Sequence, residues 1–193
     1  MADKAGSADL VQASGSQQPV TGTRVLNGRN VLEFDGGDYL ASTLTLPTSG
    51  DVAFHMVLEI DSISNAYQAI LSVDAANDFQ IDADNTSQFD GRLNATGIGT
   101  TTALSGGPFA GALILLSAVF DRTGAGEFEI LIGGVSRCTM TYTTPLNASV
   151  ALNLMTNRSR NTWVDGAVGE VVVTGDVDNR AAYHGYLAGK WGL

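Results

Sequence analysis

Leu113-Ile-Leu-Leu-Ser-Ala-Val-Phe-Asp-Arg-Thr-Gly-Ala-Gly-Glu-Phe-Glu-Ile-Leu-Ile132 decides the fold. Two apolar runs, Leu113–Phe120 and Glu127–Ile132, flank the turn Asp121-Arg-Thr-Gly-Ala-Gly126. Runs of this length on either side of a Gly-rich turn read as the two strands of a hairpin. Outward from the hairpin the same pattern repeats. Val52–Ile60 is a long strand with Phe54, Met56, Leu58 and Ile60 on one face and Ala53, His55, Val57 and Glu59 on the other. Ala69–Val73 and Phe79–Ala83 form a further pair. Val31–Phe34 closes at Asp35-Gly-Gly, and Val150–Leu154 and Val168–Thr174 complete the strands, the last preceded by Asp165-Gly166. One helix is expected, capped by Asp178 over Asn179–Leu187, with Tyr183, Leu187 and Trp191 along one stripe. The predicted fold is all-β: a two-sheet antiparallel jelly-roll sandwich with a short C-terminal helix.

Composition agrees with one such domain. The 193 residues are 44% hydrophobic and 16% charged, with 23 Gly and 4 Pro, which suits a sizeable core crossed by many turns. Residues 25–193 form the predicted sandwich. Residues 1–24 are a polar arm, and fixing such a segment costs roughly 1–2 kcal/mol per residue. It is therefore expected to pack on the domain or on a neighbour, making the protein a homo-oligomer or part of a larger assembly.

A net charge of −10 argues against nucleic acid as a partner, and no apolar stretch is long enough for membrane insertion. The lone Cys138 forms no intrachain disulfide and reads as a small core residue. Met1-Ala-Asp-Lys-Ala-Gly-Ser carries no apolar export segment.

Four stretches carry a resemblance. Leu26–Leu40 resembles the opening strand of concanavalin A-like, laminin-G-like domains, and Leu113–Gly134 their central hairpin. Asp165–Val173 is similar to the strand that follows. Gly185-Tyr-Leu-Ala-Gly-Lys-Trp-Gly-Leu193, with its Lys190-Trp-Gly-Leu193 ending, resembles a C-terminal signature of bacterial and phage members. The resemblance implies a lectin-like jelly roll, in a superfamily that hosts lectins, glycosidases, adhesion modules and virion parts.

The residues speak against hydrolysis. Retaining glycosidases need two facing carboxylates, which related hydrolases place as Glu-X-Asp-X-X-Glu or with one residue more. Here Glu59-Ile-Asp61 is followed by Ser64 and Asn65 where the third carboxylate would stand. Glu127 and Glu129 share a strand face but read as its acidic solvent side. His55 and His184 are distant in sequence and accompany no nucleophile motif. The chain is expected not to be an enzyme and to need no cofactor.

Metal binding has one candidate region. Asp78, Asp82 and Asp84 stand in a stretch crowded with Asp and Asn, and such hard oxygen donors suit Ca²⁺. The competing reading is the solvated face of a strand whose inward residues are Phe79, Ile81 and Ala83. Sugar binding combines a stacking aromatic with amide and carboxylate groups. Asn157, Arg158, Arg160, Asn161, Trp163 and Asp165 offer that chemistry in one loop, although Trp163 reads equally as a plug at a sheet edge.

Two functions follow. The first is a non-catalytic structural or attachment protein on a virion surface, a phage decoration or tail protein with capsid or tail proteins as partners. The alternative is an extracellular glycan-binding module of a secreted polysaccharide-active or adhesion protein, with a cell-surface glycan as partner. The absence of an export segment favours the first.

Overall fold

Phe120 on β9 (Leu113–Asp121) faces Phe128 on β10 (Glu127–Ile132), so the hairpin forms in the expected register. Its turn is tied by Asp121, whose carboxylate accepts the Gly124 N–H at 2.7 Å. These strands belong to a computed structural model that describes residues 9–42, 49–63, 68–73, 79–83, 88–93, 96–100, 111–141 and 152–193.

The other strands are β1 (Val20–Leu26), β2 (Arg29–Asp35), β3 (Leu40–Ser42), β4 (Val52–Ser62), β5 (Gln68–Val73) and β6 (Phe79–Ala83). They are followed by β7 (Phe89–Leu93), β8 (Thr96–Thr100), β11 (Val135–Thr141), β12 (Leu152–Leu154) and β13 (Asp165–Thr174). Every pairing is antiparallel, in a seven-stranded sheet ordered β1-β2-β13-β4-β9-β10-β11 and a six-stranded sheet ordered β3-β12-β5-β6-β7-β8. The two-sheet sandwich predicted from the sequence is the fold.

The sheets meet face to face through one core. Phe54, Met56, Leu58 and Ile60 of β4 share it with Ile70, Phe79, Ile81, Leu152 and Leu154 of the opposing sheet. The rings of Phe54 and Phe120 close on Phe79 at 5.0 and 4.9 Å between centroids. The opposite face of β4 is buried as well, because helix α1 (Arg180–Trp191) lies across it. Leu187 and Trp191 pack there on Val31, Val57, Leu115 and Ala167. Gly169 makes that approach feasible, since a Cβ there would come within 2.5 Å of the Trp191 ring.

Four details depart from the sequence reading. The helix starts after Asn179, not on an Asp178 cap, and Asn179 makes no side-chain cap bond. It runs past Leu187 to Trp191 because packing outweighs the cost of Gly185 and Gly189, and Gly192 ends it in the left-handed region at φ 71°. Strand β13 begins at Asp165. Strand β1 begins at Val20, inside the stretch read as the arm; Leu10 enters the core, and Val11 pairs with Ala41. The arm from Asp9 onward thus packs on its own sandwich.

Candidate functional site

The loop between β12 and β13 is shaped by its own side chains. Asn157 Oδ1 accepts the Asn161 N–H at 3.0 Å, and Asn157 Nδ2 donates to Asn161 Oδ1 at 2.7 Å. The Arg160 N–H bonds the Asn157 carbonyl, and Arg160 itself adopts φ 53°, in the left-handed region. Thr156 Oγ1 donates to the Thr162 carbonyl at 2.8 Å, and Thr156 bridges Trp163. Gln68 Nε2 reaches across from β5 to the Trp163 carbonyl. The bonds within residues 156–162 shape the loop, and the Gln68 bond ties it to β5.

The result is a cleft of about 300 Å³ at one end of the sandwich. Trp163, Asn161 and Asp165 line it with Asp35, Ser62 and Gln68, and Ser62 Oγ donates to Asp165 Oδ2 at 3.0 Å. The Trp163 ring is half-buried, and its indole N–H is buried with no hydrogen-bond partner among the described residues. The residue is half-buried and lines the cleft.

Three of the six candidate ligand residues therefore come together in the cleft. The others do not line it. Asn157 is spent on the loop, and Arg160 holds its guanidinium over the Tyr39 ring at 5.3 Å and donates to Asn153 at 3.1 Å. Arg158 is half-buried outside the cleft. Asp35, Ser62 and Gln68 come from three other strands, so no sequence window contains them together. The one local signal was the Asp35-Gly-Gly-Asp38 turn. There the Gly37 N–H bonds Asp35 Oδ1 and the Asp35 N–H bonds Asp38 Oδ2.

Asp35 and Asp165 also wall a neighbouring cleft of about 410 Å³, together with Glu33 and Asp38 and the arm residues Gly15, Ser16 and Gln18. Burial, the largest effect, pushes the Asp38 carboxyl above its usual range; the nearby Asp35 charge adds to this, while the Asp35 backbone N–H opposes it.

Of the three metal candidates, Asp82 lies among the described residues. Asp82 is fully buried on β6, where its Oδ1 accepts from Gln80 Nε2 at 2.5 Å. This corrects the reading of Asp82 as part of a solvated strand face: strands β5 and β7 flank β6. Asp78 and Asp84 lie outside the described residues. Among the described residues no three His, Cys, Asp or Glu side chains are grouped to hold an ion.

Of the four carboxylates weighed for hydrolysis, Glu59, Asp61 and Glu129 are held in ion pairs and line neither cleft, and Glu127 is exposed. Glu129 is buried, which corrects the reading of its face as a solvent side. Arg24 binds Glu59 at 2.5 Å and also Asp61, while Arg180 binds Glu129 at 2.5 Å. The two histidines, distant in sequence, meet under α1. Ser117 Oγ lies 2.8 Å from His55 Nδ1 and 2.9 Å from His184 Nε2. His55 is fully buried and its Nε2 has no hydrogen-bond partner among the described residues; burial, aided by the nearby His184, draws its pKa down to about 4.

No family model matches the chain, and no curated protein matches it in sequence. Solved structures match its fold. A heptameric SAP-like pentraxin from Limulus polyphemus is 13% identical with a TM-score of 0.56, over 73% of each chain. The receptor-binding domain of botulinum neurotoxin type G is 9% identical with a TM-score of 0.65, over 94% of this chain and 47% of that one. The carbohydrate-binding module CBM66 of Bacillus subtilis is 12% identical with a TM-score of 0.50, over 81% of this chain and 91% of that one. A Trypanosoma rangeli sialidase also matches at 14% identity and a TM-score of 0.57, but this chain spans only 26% of its length. At these identities the likeness is one of fold: the chain shares its two-sheet β-sandwich with these proteins.

Proposed function

We propose that the chain is a non-catalytic glycan-binding module and that the cleft around Trp163 and Asp165 is its site. The observation that carries this is the convergence of Trp163 with Asp35, Asp165, Asn161, Gln68 and Ser62 around one cleft of about 300 Å³. A sugar presents C–H faces that stack on an aromatic ring and hydroxyls that donate to carboxylates, so this set matches its chemistry. The likeness to a carbohydrate-binding module and to a toxin's receptor-binding domain supports this reading. No comparison speaks for the virion-surface reading. The ion-paired placement of Glu59, Asp61 and Glu129 supports the absence of hydrolysis.

Binding to an immobilised panel of neutral and acidic glycans is the test. Wild-type protein should bind at least one glycan. Trp163→Ala and Asp165→Ala should each weaken that binding on the order of tenfold or more. Failure to bind any member, or binding that both variants retain, would remove the proposal.

A further inference from the structure

We infer that the ligand of this site is an oligosaccharide, not a single sugar, and that it carries no carboxylate or sulfate. This rests on the glycan-binding reading above. The cleft beside Trp163 adjoins the second cleft, because Asp35 and Asp165 line both. A chain seated on Trp163 that extends beyond them enters the second cleft without leaving the protein surface. Each cleft has a volume near the low end of the roughly 300–1,000 Å³ typical of small-ligand pockets, so the pair holds more than one ring.

The far wall of the second cleft is built by the arm, and the arm is fixed. Its Val11 exchanges both backbone bonds with Ala41, at 2.7 and 3.0 Å, and the Tyr39 N–H bonds the Gln17 carbonyl at 3.2 Å. Leu10 anchors it in the core. The wall therefore exists before a ligand arrives, and ordering it adds no cost to binding.

Charge sets the class of sugar. Glu33, Asp35, Asp38 and Asp165 line the two adjoining clefts, and no Lys or Arg stands among the described residues that line either. A uronate or sulfated sugar would bring like charge within a few ångströms of these carboxylates, which is unfavourable at the low effective dielectric of a cleft. Neutral hydroxyls instead donate to the same oxygens. The acidic side chains thus act as acceptors for a neutral chain and as a barrier to an anionic one.

Calorimetric titration in the presence of chelator tests this with mono-, di- and tetrasaccharides of glucose, mannose, galactose and N-acetylglucosamine, and with tetragalacturonate. For the neutral sugar that binds, affinity should rise on the order of tenfold or more from monomer to tetramer. Ser16→Trp, which fills the second cleft from the exposed arm, should bring the tetramer's affinity down to the monomer's and leave monomer binding unchanged. Tetragalacturonate should bind at least about tenfold more weakly than the neutral tetramer at low salt. Equal affinity for monomer and tetramer, or tight binding of tetragalacturonate, overturns this inference while leaving the glycan site standing. Silence from every probe overturns the glycan reading itself.

Discussion

The ring of Trp191 occupies the place that a side chain at Gly169 would need. A Cβ at Gly169 would lie 2.5 Å from Cη2, and the ring cannot swing away, because it is buried and its Nε1 donates to Glu170 at 3.1 Å. Gly169→Ala is expected to lower stability by about 1–3 kcal/mol through overpacking. Chemical denaturation checks this, and a neutral substitution would show that α1 shifts freely on the sheet.

The two histidines predict how stability follows pH. The folded chain keeps His55 neutral down to about 4, whereas an unfolded chain protonates it near 6.5. His184 is lowered too, by burial first and by Arg180 second, against the opposing charge of Glu129. Between those limits the unfolded state binds more protons, so this contribution is fully present above pH 6.5 and is lost as pH falls toward 4. For His55 the loss reaches about 3 kcal/mol. Unfolding free energies measured from pH 7.5 down to 4.5 should decline accordingly, and His55→Leu should flatten the curve. An unchanged slope in that variant would relieve His55 of the role.

Arg24 bridges β1 to β4 by holding Glu59 and Asp61 together. Glu59 is nearly buried, so removing its partner strands a charge. Arg24→Ala should cost about 1–2 kcal/mol, less than for a fully buried pair because Asp61 is partly in solvent. Its binding to any glycan should stay at the wild-type level, since Arg24 lines neither cleft. A fall in affinity without a fall in stability would contradict that placement.

Trp163 stands between two roles, and one variant separates them. A half-buried ring contributes less than the full burial of a core aromatic, so Trp163→Ala should cost about 1–2 kcal/mol, against the 3–5 kcal/mol of a core residue. A thermal melt beside a binding assay reads both quantities. A loss at the core value with binding intact would make Trp163 a structural plug alone.

The inner face of the sandwich was legible because β4 alternates strictly and the Asp121–Gly126 turn is unambiguous. The outer face of β4 was harder, since His55, Val57 and Glu59 look like a mixed face until α1 is seen to cover them. The short strands β7 and β8 left little trace. Gly91, Gly97 and Gly99 break their apolar pattern. The loop Asn157–Asp165 was picked out as a candidate because its chemistry is contiguous. Its partners Asp35, Ser62 and Gln68 were not, because only the sheet registers bring them to one end of the sandwich. Arg160 was misread for the same reason: nothing local announces that Tyr39 lies beneath it.

The helix is stitched to the first hairpin of the chain. Asn27 Nδ2 donates to the Trp191 carbonyl across 164 residues of sequence, and Arg29 Nε donates to the Lys190 carbonyl at 2.8 Å. During synthesis, the apolar stripe of Val31, Val57, Leu115 and Ala167 therefore stays bare until α1 has been translated. Closing so long a loop is slow, and an uncovered sheet is prone to associate with its own kind meanwhile. Docking of α1 is thus the step at which this stripe is covered.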